Sequence, residues 1–172
     1  MTKNIHWLGH DAFRIDGEQI IYIDPWKLPK GVPKADLVLI THDHHDHCSP
    51  DDVARVRKDD TVVVTIAAAA KKLKGDVRTV KPGESLTVKG VPIETVPAYN
   101  VNKPFHPKAA GHVGFIVTAG GQRIYHAGDT DLIPEMKDIK TDIALLPVSG
   151  TYVMTADEAA QAVDRIKPKV AI

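Results

Sequence analysis

Thr41-His42-Asp43-His44-His45-Asp46-His47 is the stretch that decides how this chain is read. It puts four imidazoles and two carboxylates in seven residues. The apolar run Leu37-Val38-Leu39-Ile40 leads straight into it and reads as a buried strand. The cluster therefore sits in a loop at the end of a rigid element, where binding and catalytic groups are commonly carried. Neutral imidazole together with carboxylate suits Zn, Mn or Fe. His42 and His44 are two apart, so at an extended strand end their side chains point the same way. Asp46 and His47 come after the chain turns and can face a second ion beside the first. So many ionisable groups in one turn make sense when an ion holds them together.

The rest of the composition narrows the class. The chain has 172 residues, enough for one domain with a good core, and residues 1–172 are expected to form a single domain. Lys+Arg and Asp+Glu both number 22, and this balance disfavours broad binding to nucleic acid or to an anionic membrane. The single Cys48 excludes an internal disulfide framework and reads as a small buried residue. No apolar run approaches the roughly 18 residues of a membrane span, and the N-terminus lacks a signal-peptide layout. A cytoplasmic protein is the expectation, with a small-molecule substrate as partner and a homo-oligomer compatible with it. There is no G-x-S-x-G, no G-x-x-x-x-G-K-[ST] and no G-x-G-x-x-G, so neither a serine nucleophile nor a phosphate-cradling loop is suggested.

Strands and helices alternate in the first half. A strand over Asn4–Leu8 and a hairpin over Ala12–Ile23 come first, with Asp24-Pro25-Trp26 at the hairpin's end. Leu37–Thr41 is the next strand. Ser49-Pro50-Asp51-Asp52 starts a helix that runs to about Lys58: Ser as N-cap, Pro at N1, acids in the first turn. Thr61–Thr65 is β-branched throughout and reads as a buried parallel strand. Ala67–Leu73 is helical. Val77–Val80, Glu84–Lys89 and Val91–Val96 read as a strand meander. Later come strands over 112–117 and 123–127, a short helix over 134–139 and a strand over 141–146. Thr155–Glu158 is a capping box opening a helix to Lys167, with Ala159, Ala162, Val163 and Ile166 on one apolar face. A last strand begins at Lys169. This mixture predicts an α/β fold of two packed mixed sheets with helices outside.

H-x-H-x-D-H after an apolar strand resembles the signature of the metallo-β-lactamase superfamily, and His42, His44, Asp46 and His47 match it position by position. Trp7-Leu8-Gly9-His10 further resembles the opening of its branch of small metal-dependent hydrolases, which includes the ascorbate-6-phosphate lactonase-like proteins. The resemblance covers nearly the whole chain. It implies a four-layer αββα sandwich and two divalent ions, Zn first, with Mn or Fe as alternatives. A third His for the first ion comes from a loop after a strand. His106 in the loop 97–107 is the preferred candidate, and His112, which opens the next strand, is the alternative. Asp129 matches the carboxylate that bridges the two ions. Asp24 corresponds to an Asp that orients a ligand His, a role that makes sense because a ligand imidazole needs its other nitrogen fixed. His10, Asn100 and His126 are candidates for positions around the site. Tyr152 could bond a substrate or simply pack. The superfamily also ends its site with a His after a last strand. No residue follows Ile172, so a sequence cut short just before that His is the expectation.

The implied chemistry is hydrolysis of an ester, lactone or phosphoester of a small molecule by metal-bound hydroxide, because a catalytic metal with three protein ligands keeps a position for water and lowers its pKa. Asp46 and Asp129 are the residues expected to carry protons. Alternatives are a nucleic-acid phosphodiesterase, a non-haem iron redox protein on the same fold, and a binding module with a damaged site.

Overall fold

The computed structural model describes residues 1–172, in two compact units: Met1–Val80 with Thr87–Val91, and Lys81–Leu86 with Pro92–Ile172. The first unit carries a six-stranded sheet in simple sequence order. Its strands are β1 (Ile5–Gly9), β2 (Ala12–Ile15), β3 (Ile21–Ile23), β4 (Leu37–Ile40), β5 (Val62–Thr65) and β6 (Asp76–Thr79). The pairs β1/β2 and β2/β3 are antiparallel, as hairpins must be, and β3 to β6 run parallel. Parallel neighbours need long crossovers. Two of these contain helices: α1 (Pro50–Val56) lies between β4 and β5, and α2 (Ala67–Ala70) between β5 and β6. Every residue of β4 and β5 is buried, which explains their unbroken apolar runs.

Helix α1 begins as the sequence predicts. The Ser49 side chain accepts from the Asp52 amide, and Pro50 occupies the first turn. Asp52 also accepts from the amides of Lys27 and Leu28 at 2.9 and 3.1 Å, tying down the Pro-rich loop after β3. Both α1 and α2 end earlier than the sequence suggests, at Val56 and Ala70. Residues 76–97 are not a meander. β6 pairs in parallel with β5, whereas β7 (Ser85–Val88) and β8 (Val91–Pro97) belong to the second sheet. A crossover through α2 delivers β6 beside β5, and Pro82-Gly83 then ends that run.

The second sheet also has six strands, in the order β12-β11-β10-β9-β8-β7. β9 is Val113–Ala119, β10 Gln122–His126, β11 Ile143–Leu145 and β12 Val170–Ala171. The pairs β8/β9 and β9/β10 are antiparallel; β10/β11 and β11/β12 are parallel. Helix α3 (Ala156–Ile166) supplies the last crossover and opens on a complete capping box between Thr155 and Glu158. Its Ala159, Ala162 and Ile166 enter a core with Tyr99, Ile116, Tyr125, Met136 and Met154, while Val163 lies at the margin and is half-buried. Residues 134–138 form a 3-10 turn. Two mixed sheets with few helices are the fold class that the sequence predicts. No helix is long and apolar enough to cross a membrane.

One core group is out of place. The Tyr125 hydroxyl is buried without a hydrogen-bond partner, and burial pushes its pKa well up. A buried unpaired polar group is destabilising by about 1–3 kcal/mol. Tyr125→Phe should therefore raise the urea midpoint, by about 1 kcal/mol of stability. A fall in the midpoint would mean that the hydroxyl is solvated or bonded in solution.

Candidate metal centre

In the first unit the site grows from the end of β4. Strand β4 lies between β3 and β5, so Thr41 and His42 leave a fixed base and are fully buried. The amides of His47 and Cys48 both donate to the His44 carbonyl, at 3.1 and 2.8 Å, and this tight turn folds the second half of the motif back. Asp24, fully buried at the end of β3, is the hub. Its own amide donates to the Leu39 carbonyl at 2.9 Å, and its backbone takes the left-handed conformation, φ 45°.

The Asp24 carboxylate accepts three hydrogen bonds: from the Thr41 amide at 2.8 Å, the Thr41 hydroxyl at 2.6 Å and His47 Nδ1 at 2.8 Å. A carboxylate only accepts, so His47 carries its proton on Nδ1. The Thr41 hydroxyl spends its one hydrogen on Asp24. It must therefore accept from His42 Nδ1, which is 2.9 Å away. Both imidazoles are thus held as the tautomer whose lone pair is on Nε2, the form a metal ligand needs.

His42 Nε2 and His44 Nδ1 are 3.0 Å apart. Two nitrogens on one tetrahedral Zn at 2.0–2.1 Å would be about 3.3 Å apart, so this pair suits a shared ion. Two further sets, His10/Asp46/His47 and Asp24/His42/His47, have ligand atoms within 4.8 Å of one another. His10 Nε2 stands 3.3 Å from Asp46 Oδ2, and its ring meets that of His47 edge-on at 5.0 Å. Trp7 Nε1 donates to the His10 carbonyl at 2.7 Å and fixes this turn, where His10 has φ 51°. His45 is 89% exposed, with its Nδ1 3.8 Å from Asp46 Oδ1. Cys48 is buried, and burial pushes its thiol up to about 11, so it packs as a neutral group.

The second unit presents its own set. His106 is buried, and its amide and Nδ1 both donate to Asn100 Oδ1, at 2.8 and 3.1 Å. In return the Asn100 amide donates to the His106 carbonyl at 2.7 Å. This again puts the imidazole lone pair on Nε2, which is 3.0 Å from Asp129 Oδ2. His112 is also buried, its ring 5.8 Å from that of His106, and its carbonyl accepts from the Ala98 amide. His106 Nε2 thus stands against the Asp129 carboxylate, with the His112 ring beside it. His126 Nδ1 accepts from the Gly128 amide at 3.2 Å. Asp131 clamps the loop, accepting from the Val101 amide and from Lys103 Nζ at 2.9 and 2.7 Å. Tyr152 is exposed; its carbonyl accepts from Asn100 Nδ2.

Sequence reading passed over Thr41 and Asp11. Asp11 Oδ2 lies 3.8 Å from His47 Nδ1. A hydroxyl residue directly before the first His of the motif was the available signal for Thr41. Asp11, directly after His10, gave none.

Comparison with known proteins finds metal-dependent hydrolases as relatives. The family described as the beta-lactamase superfamily domain matches residues 4–172. A metal-dependent hydrolase of the UPF0173 group from Thermoplasma acidophilum is 33% identical, over 98% of this chain and 80% of that protein. A solved structure from Parabacteroides distasonis, assigned as a metal-dependent hydrolase, is 39% identical with a TM-score of 0.91, covering 97% of this chain and 79% of that one. The metallo hydrolase Igni18 from Ignicoccus hospitalis is 28% identical with a TM-score of 0.78, covering the same two shares.

Proposed function

We propose, for a chain that belongs to the beta-lactamase superfamily, that it is a metal-dependent hydrolase acting on an ester, lactone or phosphoester of a small molecule. His42, His44 and His106 would hold one divalent ion, Zn in the first instance. Asp46 and His47 would hold a second, with Asp129 shared. The donor set fits such ions: imidazoles, of which His42, His47 and His106 have Nδ1 committed to a hydrogen bond, and carboxylates beside them. When bound, an ion of this kind acts as a Lewis acid and lowers the pKa of a coordinated water to about 7.

The observation that carries the reading is the wiring of Asp24 through Thr41 to His42 and directly to His47. Folding alone does not need a buried carboxylate to dictate the tautomer of two imidazoles in one turn; a metal ligand does. Around the reacting group, Asp46 and Asp129 are the carboxylates available to take a proton from the attacking water and return it to the leaving group. His10 Nε2, at 3.3 Å, steadies Asp46 for that work.

The test is metal content with turnover. Protein purified without added metal is analysed for Zn, Mn and Fe per chain, then assayed on aryl esters, lactones and bis(p-nitrophenyl) phosphate, before and after EDTA. Bound Zn, with hydrolysis lost on chelation and restored by Zn, is the expected result. His44→Ala should lose both the metal and the activity. A folded chain that takes up no metal at micromolar Zn would overturn the ligand assignment, and bound Fe with oxygen-dependent chemistry would overturn the reaction class.

A further inference from the structure

Two loops of the second unit expose large apolar side chains, one of them in the residue before His106. Phe105 directly precedes His106 and is 41% exposed; Tyr152 is 53% exposed. Their rings meet edge to face, centroids 4.8 Å apart and planes at 70°. Each loop exposes a second apolar residue, Val101 at 63% and Val148 at 56%. Single exposed hydrophobics are ordinary, but an exposed aromatic pair joined across two loops is a patch.

The pair is rigidly mounted. Asn100 Nδ2 donates to the Tyr152 carbonyl at 2.9 Å, while Asn100 Oδ1 accepts from the amide and Nδ1 of His106. One side-chain amide therefore aims the imidazole and fixes the Tyr152 loop. That loop is also braced from within. The Tyr152 amide donates to Ser149 Oγ at 3.1 Å, and the amides of Ser149 and Gly150 donate to the Met154 carbonyl. An aromatic wall ordered in advance gives up little entropy when a ligand arrives.

The charges of the same loop are already engaged. Lys103 Nζ is 2.7 Å from Asp131, and Lys108 Nζ is 2.9 Å from Glu135. A phosphorylated group would find both cations neutralised by carboxylates. An uncharged planar group would find an aromatic edge and face, with aliphatic side chains on both loops.

We propose that Phe105 and Tyr152 form an aromatic clamp that selects substrates with an uncharged aryl group beside the scissile bond, and that Asn100 is the positioning residue locking the clamp to His106. The inference deepens the hydrolase reading and rests on it for the word substrate.

The test uses phenylacetate and acetate, the carboxylates released from aryl-bearing and plain esters, as probes on the Zn-loaded protein by titration calorimetry. Phenylacetate should bind about 10-fold more tightly than acetate. Phe105→Ala and Tyr152→Ala should each reduce that preference, and the double variant should abolish it. Phe105→Leu and Tyr152→Leu keep apolar bulk but remove the rings, so they give the same readout if an Ala variant fails to fold. Tyr152→Phe should keep the preference. In turnover, the ratio of kcat/KM for phenylacetate and acetate esters should fall by the same factor in the double variant. Equal binding of the two probes, or a preference that survives loss of both rings, would overturn the clamp even if esters are cleaved. Preferential binding without turnover of any ester would leave the clamp standing and remove the hydrolase reading.

Discussion

Asp24→Asn will weaken Zn binding by about 10–100-fold in a chain that still folds. The substitution is nearly isosteric, and Asn tolerates the left-handed backbone that residue 24 adopts. What changes is the sign of one hydrogen-bonding atom. The new amide oxygen can still accept from the Thr41 amide, but the NH2 then faces the Thr41 hydroxyl and His47 Nδ1, both donors to Asp24 in the native protein. His47 can meet that NH2 only by moving its proton to Nε2, which removes the lone pair a metal needs. The Thr41 hydroxyl is released as well, and with it the reason for His42 to hold its proton on Nδ1. Two charge-assisted hydrogen bonds in a buried site are lost, so stability should fall by about 2–4 kcal/mol. Competition with a chromophoric chelator measures the affinity, and urea unfolding of the metal-free protein measures the stability. If the Asp24→Asn variant holds Zn as tightly as the native protein, Asp24 does not orient these imidazoles.

Gly114→Ala should destabilise the second sheet by about 3 kcal/mol. The reason is space rather than backbone freedom. A Cβ on Gly114 would lie 2.8 Å from the His126 carbonyl oxygen, 2.9 Å from that of Ala127 and 3.0 Å from Tyr125 Cε2. Carbonyls at the end of a paired strand cannot swing aside as a side-chain tip can. The end of β10 would have to move away from β9, and His126 with it. The Gly114→Ala protein should show a lowered urea midpoint with an unchanged slope. A midpoint shift worth less than about 0.5 kcal/mol would show that the strand end yields easily.

What the sequence made legible was whatever is encoded locally. Leu37–Ile40 announced a buried strand and Thr61–Thr65 a buried parallel one, because both faces had to be apolar. Ser49 and Thr155 announced helix starts because a cap is a short-range bond. His42, His44, Asp46 and His47 were visible as one turn because seven residues contain them. The place of β6 was hidden, since Val77–Val80 looks the same whether it pairs with the strand before it or the strand after it. Thr41 was hidden because its importance lies in where its hydroxyl hydrogen goes. The Asn100–Tyr152 bond was hidden because it joins residues 52 apart, and nothing in either loop's composition names the other.

The hydrogen bonds that set the tautomers of His42 and His47 run among residues 24 to 47. Loop grafting should exploit this. Segments around 101–105 and 149–154 can be exchanged to retarget such a protein while the proton arrangement of the histidine turn is inherited intact. Asn100 is the one position a graft must keep. An exchange that carries the Tyr152 loop away from it also frees the side chain that aims the His106 imidazole, so new specificity obtained that way would come with a loosened His106.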